Sequence, residues 1–330
     1  MLLPSVARRV LRRVYGARLA PAILMYHRVA ELQHDPWGLA VSRATFGQQL
    51  AYLKHHHTPM PLDQLVEGLR SKKLPHNTVA ITFDDGYRDN LVNAKPLLLR
   101  HGLPATLFLA TGWVGSSVPF WWDELAEFTL CSSQTVDHTE VIDGESLLLR
   151  WGEPERADMD GAWRASCEPQ TARQKTYLTL WRKLRGTSQT ERTRAMTSLR
   201  AFFPAEHNSL SMPMNSAEVQ ELTHDGVFTI GAHTVHHPAL TSLSAAECRD
   251  EILASAKQCL TLTGAEVSAF AYPYGDVNEM VRNVVAGAEF LSACTTRAAH
   301  LDVDLQDMYA LPRLAIPNCD IAQFAGMLSC

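Results

Sequence analysis

The sequence predicts an α/β protein built on a parallel sheet or barrel. Two observations point there. Short apolar runs alternate with helical stretches along most of the 330 residues, and three chemically rich segments each sit at the end of an apolar run. The bulk composition agrees: 46% hydrophobic and 20% charged residues suit a globular protein with a sizeable core, and α/β barrels often use this length as a single domain.

Taken in order, Ala22–Tyr26 reads as a buried strand, followed by a helix near Thr45–His55. Thr78–Phe83 is a second strand with Leu91–His101 helical after it, and Pro104–Ala110 is a third. Phe228–Ala232, Val267–Ala271, Phe290–Thr295 and Leu311–Ile316 complete the series. Helices are expected over Ser216–Leu222 and over Ser244–Leu262, the latter opening with the capping-box pattern Ser244-x-x-Glu247. Residues 113–215 break the rhythm. They hold the aromatic cluster Phe120-Trp121-Trp122, a hairpin signal at Asp143-Gly144 and helical stretches between Thr171 and Phe203. This segment reads as a largely helical insertion, a lid or side wall, within a barrel spanning 21–330.

A net charge of −5 offers no overall attraction for nucleic acid. Residues 1–30 are the exception, with six arginines and no acidic side chain. Arginines interrupt the apolar residues there, so the run that a secretory signal requires is not present. The segment 1–20 instead reads as a basic amphipathic helix. Either it packs on the domain as a solvated terminus, or residues 1–19 dock on an anionic membrane face. Seven widely spaced cysteines, without a C-x-x-C pair, read as reduced thiols. A cytoplasmic protein is expected, peripheral to the membrane if the helix docks.

The three chemical segments are Thr82-Phe83-Asp84-Asp85-Gly86, His233-Thr234-Val235-His236-His237-Pro238 and Phe270-Ala271-Tyr272-Pro273-Tyr274-Gly275. Parallel α/β folds gather their reactive groups at such strand ends. Two adjacent carboxylates after a buried strand are costly unless a cation or hydrogen bonds compensate them. The i, i+4 spacing of His233 and His237 puts both imidazoles on one side if a helical turn begins there. Two imidazoles and a carboxylate with open positions make a site for a divalent ion, zinc above all.

With these motifs in order, the sequence resembles the NodB-homology polysaccharide deacetylases, the family 4 carbohydrate esterases. TFDDG matches their first motif, HTVHHP their second, and YPYG resembles their third. The opening Leu24-Met25-Tyr26-His27-Arg28-Val29 looks like the first strand of a subgroup acting on exopolysaccharides and surface glycans. The likeness covers about 22–111 and 216–317. It implies a distorted (β/α)7 barrel and metal-dependent removal of an acyl group from a sugar.

Carried over by residue, the resemblance makes Asp85, His233 and His237 the ligands of one ion, with cobalt, nickel or manganese as alternatives to zinc, and Asp84 the base. Thr234 would fix the histidines by hydrogen bonding, and Tyr274, next to Pro273, would offer its backbone N–H to an oxyanion. Two departures stand out. Ala271 occupies the place where many members carry an arginine, and Arg313 could replace it from the last strand or simply pair with another acid at the barrel end. The late Leu-x-His motif is not evident, so His27 becomes the candidate general acid, its alternative being a structural histidine at a strand end. Trp122 and Asp123 could reach the cleft rim, although aromatic clusters more often pack a core. His236 should point away from the metal.

The function expected is hydrolysis, by a metal-activated water, of the acetyl group of an amino sugar in a surface glycan or in its lipid- or nucleotide-linked precursor. N-deformylation, O-acetyl ester cleavage and a catalytically weak glycan-binding pseudoenzyme are the alternatives.

Overall fold

Seven short parallel strands form a distorted barrel whose last member closes the ring. The computed structural model describes residues 20–75, 77–132, 135, 137–152, 161–203, 209–304 and 306–329. The expected basic helix at 1–19 lies outside them. The barrel strands are β1 Ala22–Tyr26, β2 Thr78–Asp85, β3 Ala105–Leu109, β4 Phe228–Ala232, β5 Ala269–Ala271, β6 Ser292–Cys294 and β7 Leu314–Ala315. They neighbour one another in the order β6-β5-β4-β3-β2-β1-β7. Leu311, just before β7, bridges to Cys294, while Leu314 and Ala315 pair with β1. The terminal segment therefore touches β6 on one side and β1 on the other, as a seven-stranded ring requires.

Two expectations shift at their edges. The last strand, expected over Leu311–Ile316, is regular only at Leu314–Ala315, because Pro312 has no N–H to give a ladder. Strand β2 runs two residues beyond its expected end at Phe83. Its pairing with β3 continues through Asp84 opposite Phe108 and Asp85 opposite Leu109. That extension holds both carboxylates in a rigid ladder.

Alternation sorts side chains between two cores. Outward-facing Leu24, Tyr26, Ile81, Phe83 and Leu107 meet the covering helices, with Tyr26 packed 5.2 Å from Phe46 of the helix Arg43–His56. Inward-facing Ile23, Ala80, Phe108, Ala271, Cys294 and Leu311 fill the barrel. Thr82 and Asp84 continue the inner row upward from Ala80, as His27 continues the row of Ile23 and Met25. The helix Ala245–Thr263 forms the capping box between Ser244 and Glu247 and stops at Gly264 with φ 73°.

The segment between β3 and β4 folds over an apolar cluster of its own, built from Trp121, Trp151, Tyr177, Leu180 and Leu199 among others. It comprises a short helix Trp121–Ala126, an antiparallel hairpin Asp137–Ile142 and Glu145–Arg150, and helices Ala172–Gly186 and Gln189–Phe202. The hairpin turns at Asp143 (φ 51°) and Gly144 (φ 75°), the primed geometry that suits the strand twist.

Candidate active site at the strand ends

Asp84 and Asp85 leave the same strand into different surroundings. Asp84 points inward and takes a bidentate pair from Arg313, with both N–O distances 2.7 Å. Arg313 is fully buried, donates from Nε to the Thr295 carbonyl at 3.0 Å and reaches Thr82 Oγ1 at 3.2 Å. Its planar fork is thus fixed at three points. Burial would raise the Asp84 carboxyl, but the Arg313 charge, the neighbouring imidazoles and the Arg313 hydrogen bonds together outweigh it and hold the group below the usual carboxylate range.

Asp85 has no such partner. Its Oδ1 is buried and makes no hydrogen bond among the described residues. Burial, then the charges of Asp84 and Asp123, push its carboxyl well above the ordinary value. The nearest groups are His237 Nε2 at 3.3 Å and His233 Nε2 at 3.6 Å. One donor atom from each of the three residues lies within 4.8 Å of the others.

The histidines are prepared as electron-pair donors. His233 Nδ1 lies 2.7 Å from the Ala271 carbonyl. A carbonyl only accepts, so Nδ1 carries the proton and Nε2 turns a bare lone pair toward Asp85. Burial lowers His233 to about 4 and holds His237 well below the ordinary imidazole value, keeping both neutral near pH 7. An unsatisfied buried carboxylate facing two neutral imidazoles fits a divalent cation with nitrogen and oxygen ligands.

The local backbone differs from the helical turn expected for His233 and His237. The loop is irregular, with Thr234 at φ 63° and His237 at φ 55°. Thr234 Oγ1 donates to the His233 carbonyl at 2.5 Å and accepts the His237 N–H at 3.1 Å, fixing the loop backbone that carries the rings. The neighbouring loop crosses closely: Gly112 N–H bonds Val235 O at 2.9 Å, and a Cβ on Gly112 would lie 2.8 Å from that oxygen. Asp85 itself sits at φ 75°, followed by Gly86 at φ 109°, where a Cβ would meet Leu109 at 2.5 Å. The sharp exit from β2 therefore depends on glycine.

These groups floor a cleft of about 360 Å³. His27 stands on its wall with Nε2 3.9 Å from Asp84 Oδ2. Burial lowers its imidazole below the ordinary value, although Asp84 opposes that. Trp122 and Tyr274 flank His237, at ring distances of 4.8 and 4.5 Å. Phe120 and Trp121 are instead core residues.

Two expected cleft residues lie elsewhere. Pro273 is buried within its turn and does not line the cleft. Asp123 sits behind Trp122, where it accepts the Tyr87 hydroxyl at 2.8 Å and lies 3.7 Å from Arg28. The hydrogen-bond chain from Trp122 Nε1 through Tyr87 draws it away from the cavity. His236 turns outward onto Glu251, 2.6 Å away. Trp37, Trp181 and Arg185 also line the cleft and were not anticipated. The i, i+4 spacing of Trp181 and Arg185 on a helix was the signal available for two of them; nothing local marked Trp37.

A family model described as polysaccharide deacetylase matches residues 71–143 and 198–292, about half of the chain, and takes in Asp84, Asp85, His233 and His237. The chain belongs to the polysaccharide deacetylase family. The matched segments leave out His27, Arg313 and residues 144–197, so those parts of this family member's cleft are read from its own geometry.

Among curated relatives, this deacetylase-family chain is 30% identical over 125 residues to YxkH of Bacillus subtilis, named as a candidate polysaccharide deacetylase; the match covers 36% of the chain and 43% of the relative. Over 77 residues it is 35% identical to a Staphylococcus aureus protein named poly-β-1,6-N-acetyl-D-glucosamine N-deacetylase, covering 23% of the chain and 27% of that protein. The chain thus spans less than half the length of these relatives. Two solved structures resemble the fold. IcaB from Ammonifex degensii gives 17% identity and a TM-score of 0.58, covering 94% of this chain and 97% of that one. The Streptococcus pyogenes deacetylase PplD, in complex with acetate, also gives 17% identity and 0.58, covering 91% and 94%.

Proposed function

We propose that this chain is a metal-dependent de-N-acetylase acting on an acetylated amino sugar of a glycan. The observation that carries the reading is the pairing of an unsatisfied Asp85–His233–His237 donor set with an adjacent Asp84 clamped by Arg313, both at the floor of one cleft. Asp85, His233 and His237 would hold the ion, and their one-carboxylate, two-imidazole chemistry suits zinc best. A divalent cation bound there acidifies a water ligand and polarises the acyl carbonyl.

The protein's own groups supply the remaining steps. Asp84 stays ionised through the neutral range and accepts the proton of the attacking water, while Arg313 keeps its oxygens in one orientation. His27, with Nε2 3.9 Å from Asp84 Oδ2, would take that proton over from Asp84 and hand it to the departing amine. The backbone N–H of Tyr274 is the candidate donor to the developing oxyanion. Trp122 and the Tyr274 ring give the apolar surface against which a sugar face and an acetyl methyl can rest.

The test is acetate release from N-acetylglucosamine oligomers, before and after chelation, with zinc added back. Release that stops on chelation and returns with zinc is expected. A chelator-resistant rate, or an Asp84→Asn variant as active as the parent chain, would refute the mechanism.

A further inference from the structure

The loop that joins His233 to His237 keeps a strained backbone. Thr234 and His237 both stand at positive φ, 63° and 55°, a region that branched and bulky side chains seldom enter. Residues persist there only where neighbouring bonds leave the chain no alternative. Part of that hold comes from the loop after β3, where the Thr111 and Gly112 N–H groups bond the carbonyls of Thr234 and Val235 at 3.2 and 2.9 Å. Those bonds fix the carbonyl side. On the other side, the N–H groups of Val235 and His236 converge on a single oxygen atom, the concave arrangement that suits an anion.

The anion is Glu251. Its Oε2 accepts both N–H groups at 2.9 Å, and its Oε1 lies 2.6 Å from His236 Nδ1. The side chain is 17% exposed, and its hydrogen bonds among the described residues all go to this loop. Glu251 stands on the helix Ala245–Thr263, three residues after Cys248 and next to Ile252. Both of these are fully buried, in one apolar cluster with Ala232 of β4 and Phe270 of β5. Apolar packing thus sets where the helix lies, and Glu251 carries that position to the loop. Beyond the carboxylate the loop borders a cavity of about 420 Å³, lined by Val235, His236 and Pro238 and by Gln189 and Arg192 of the insertion. Were Glu251 shortened, water would solvate the two N–H groups without fixing their direction.

We infer that Glu251 is a positioning residue for the metal centre: it grips the backbone between His233 and His237 and so sets how their rings meet Asp85. The two backbone bonds carry the effect, because the His236 ring points outward and is 42% exposed. The inference rests on the metal-dependent reading above and deepens it by assigning a part of the site that touches neither ion nor substrate.

The experiment measures the zinc affinity of the full chain by competition with a chromogenic chelator, together with the Tm of metal-free protein and the kcat and KM of acetate release. Glu251→Ala should weaken zinc binding about 10–100-fold, the range for groups one bond removed from a ligand, with KM within about threefold of the parent. Glu251→Gln keeps an oxygen for the two N–H groups, so its zinc affinity should stay within about threefold, and His236→Ala should do the same. Glu247→Ala, in the capping box of the same helix, is the structural control: Tm should fall and zinc affinity should hold. A folded Glu251→Ala that binds zinc like the parent would overturn the inference. So would a Glu251→Gln as weak as Glu251→Ala, or a Glu247→Ala that loses as much zinc affinity. If Glu251→Ala does not fold, Glu251→Asp takes its place; one methylene shorter, it should lose zinc affinity too, and parent-like binding would overturn the inference. A parent chain that binds no zinc would overturn the metal reading itself, whereas zinc binding indifferent to these changes would overturn the role of Glu251 alone.

Discussion

Buried carboxylates in the barrel and in the insertion are neutralised in different ways. In the insertion, Glu124 is fully buried and accepts from Nε and Nη2 of Arg200, at 2.5 and 2.7 Å. Asp123, which is partly exposed, takes a hydroxyl from Tyr87 and stands near Arg28. Both have internal partners. In the barrel Asp84 is closed by Arg313 and Asp89 by Arg28, at 2.9 Å, whereas Asp85 is left facing two neutral imidazoles. Buried charge is tolerated when paired, and an unpaired buried carboxylate destabilises the fold unless something outside the chain completes it. Glu124 and Asp123 thus find partners within the chain, whereas Asp85, under the reading proposed above, would find its partner in a bound cation.

Asp85 gives the largest test of that contrast. Asp85→Asn should lower acetate release a thousand-fold or more, on the order of the several kcal/mol that a metal contributes to such a step. In metal-free protein the same change removes a carboxyl whose ionisation burial and the Asp84 charge oppose, so Tm should rise by a few degrees. Adding zinc should stabilise the parent chain and leave the variant unmoved, as thermal melts and metal analysis would report. A variant that loses stability without metal would show that Asp85 has a partner within the chain.

The two arginine pairs provide the next comparison. Arg313→Met strands a fully buried carboxylate and should destabilise the fold by about 3–5 kcal/mol. Loss of orientation at Asp84 should also reduce kcat/KM about 100-fold. Arg200 is a third exposed, so Arg200→Met should cost less, about 1–3 kcal/mol, and leave kcat/KM within a few-fold. The Arg313 pair also has a defined pH window. Asp84 is held below its unfolded value of about 4, so the pair's contribution is whole above that pH. It is lost as pH falls through the depressed folded value. Urea melts at several pH values check both statements; equal activity losses in the two variants would erase the distinction.

His27 makes a smaller effect. As an acid for the leaving amine it should be worth about 100-fold on an amide and far less on an O-acetyl ester, whose leaving group needs little help. His27→Ala assayed on both substrates decides the matter. Equal losses would mean that the imidazole only positions Asp84, 3.9 Å away.

Much of the barrel was legible because buried parallel strands are short apolar runs, and Ala22–Tyr26 and Phe228–Ala232 stand where the pattern put them. Asp84 and Asp85 broke that pattern, since two carboxylates end an apolar run; the ladder to Phe108 and Leu109 carries the strand through them. His233 and His237 lie together beside Asp85, though not through the helical turn their spacing suggested. Helical spacing suggested them, but left-handed residues at Thr234 and His237 bring the rings together. Arg313 reaches Asp84 across 229 residues through closure of the ring, which no local window contains. The Trp37–Trp181 contact is equally non-local, joining the loop after β1 to the insertion.

Asp123 separates the regions by the smallest effect. Burial raises its carboxyl to about 6, Arg28 and the Tyr87 hydroxyl only partly opposing the shift. A carboxyl whose folded value exceeds its unfolded value of about 4 takes up a proton on folding between those two pH values. Its contribution to stability is therefore greatest below pH 4, falls as pH rises through 4 to 6 and is flat above. Asp123→Asn has no such slope. The Tm of the parent chain minus that of the variant should fall by a few degrees between pH 4.5 and 7, while kcat/KM changes no more than about threefold. Asp84, shifted the opposite way, should show no corresponding decline over that range in an Asp84→Asn comparison. If the Asp123 difference is level across the range, its carboxyl is already ionised throughout, held by Arg28 as firmly as Glu124 is held by Arg200.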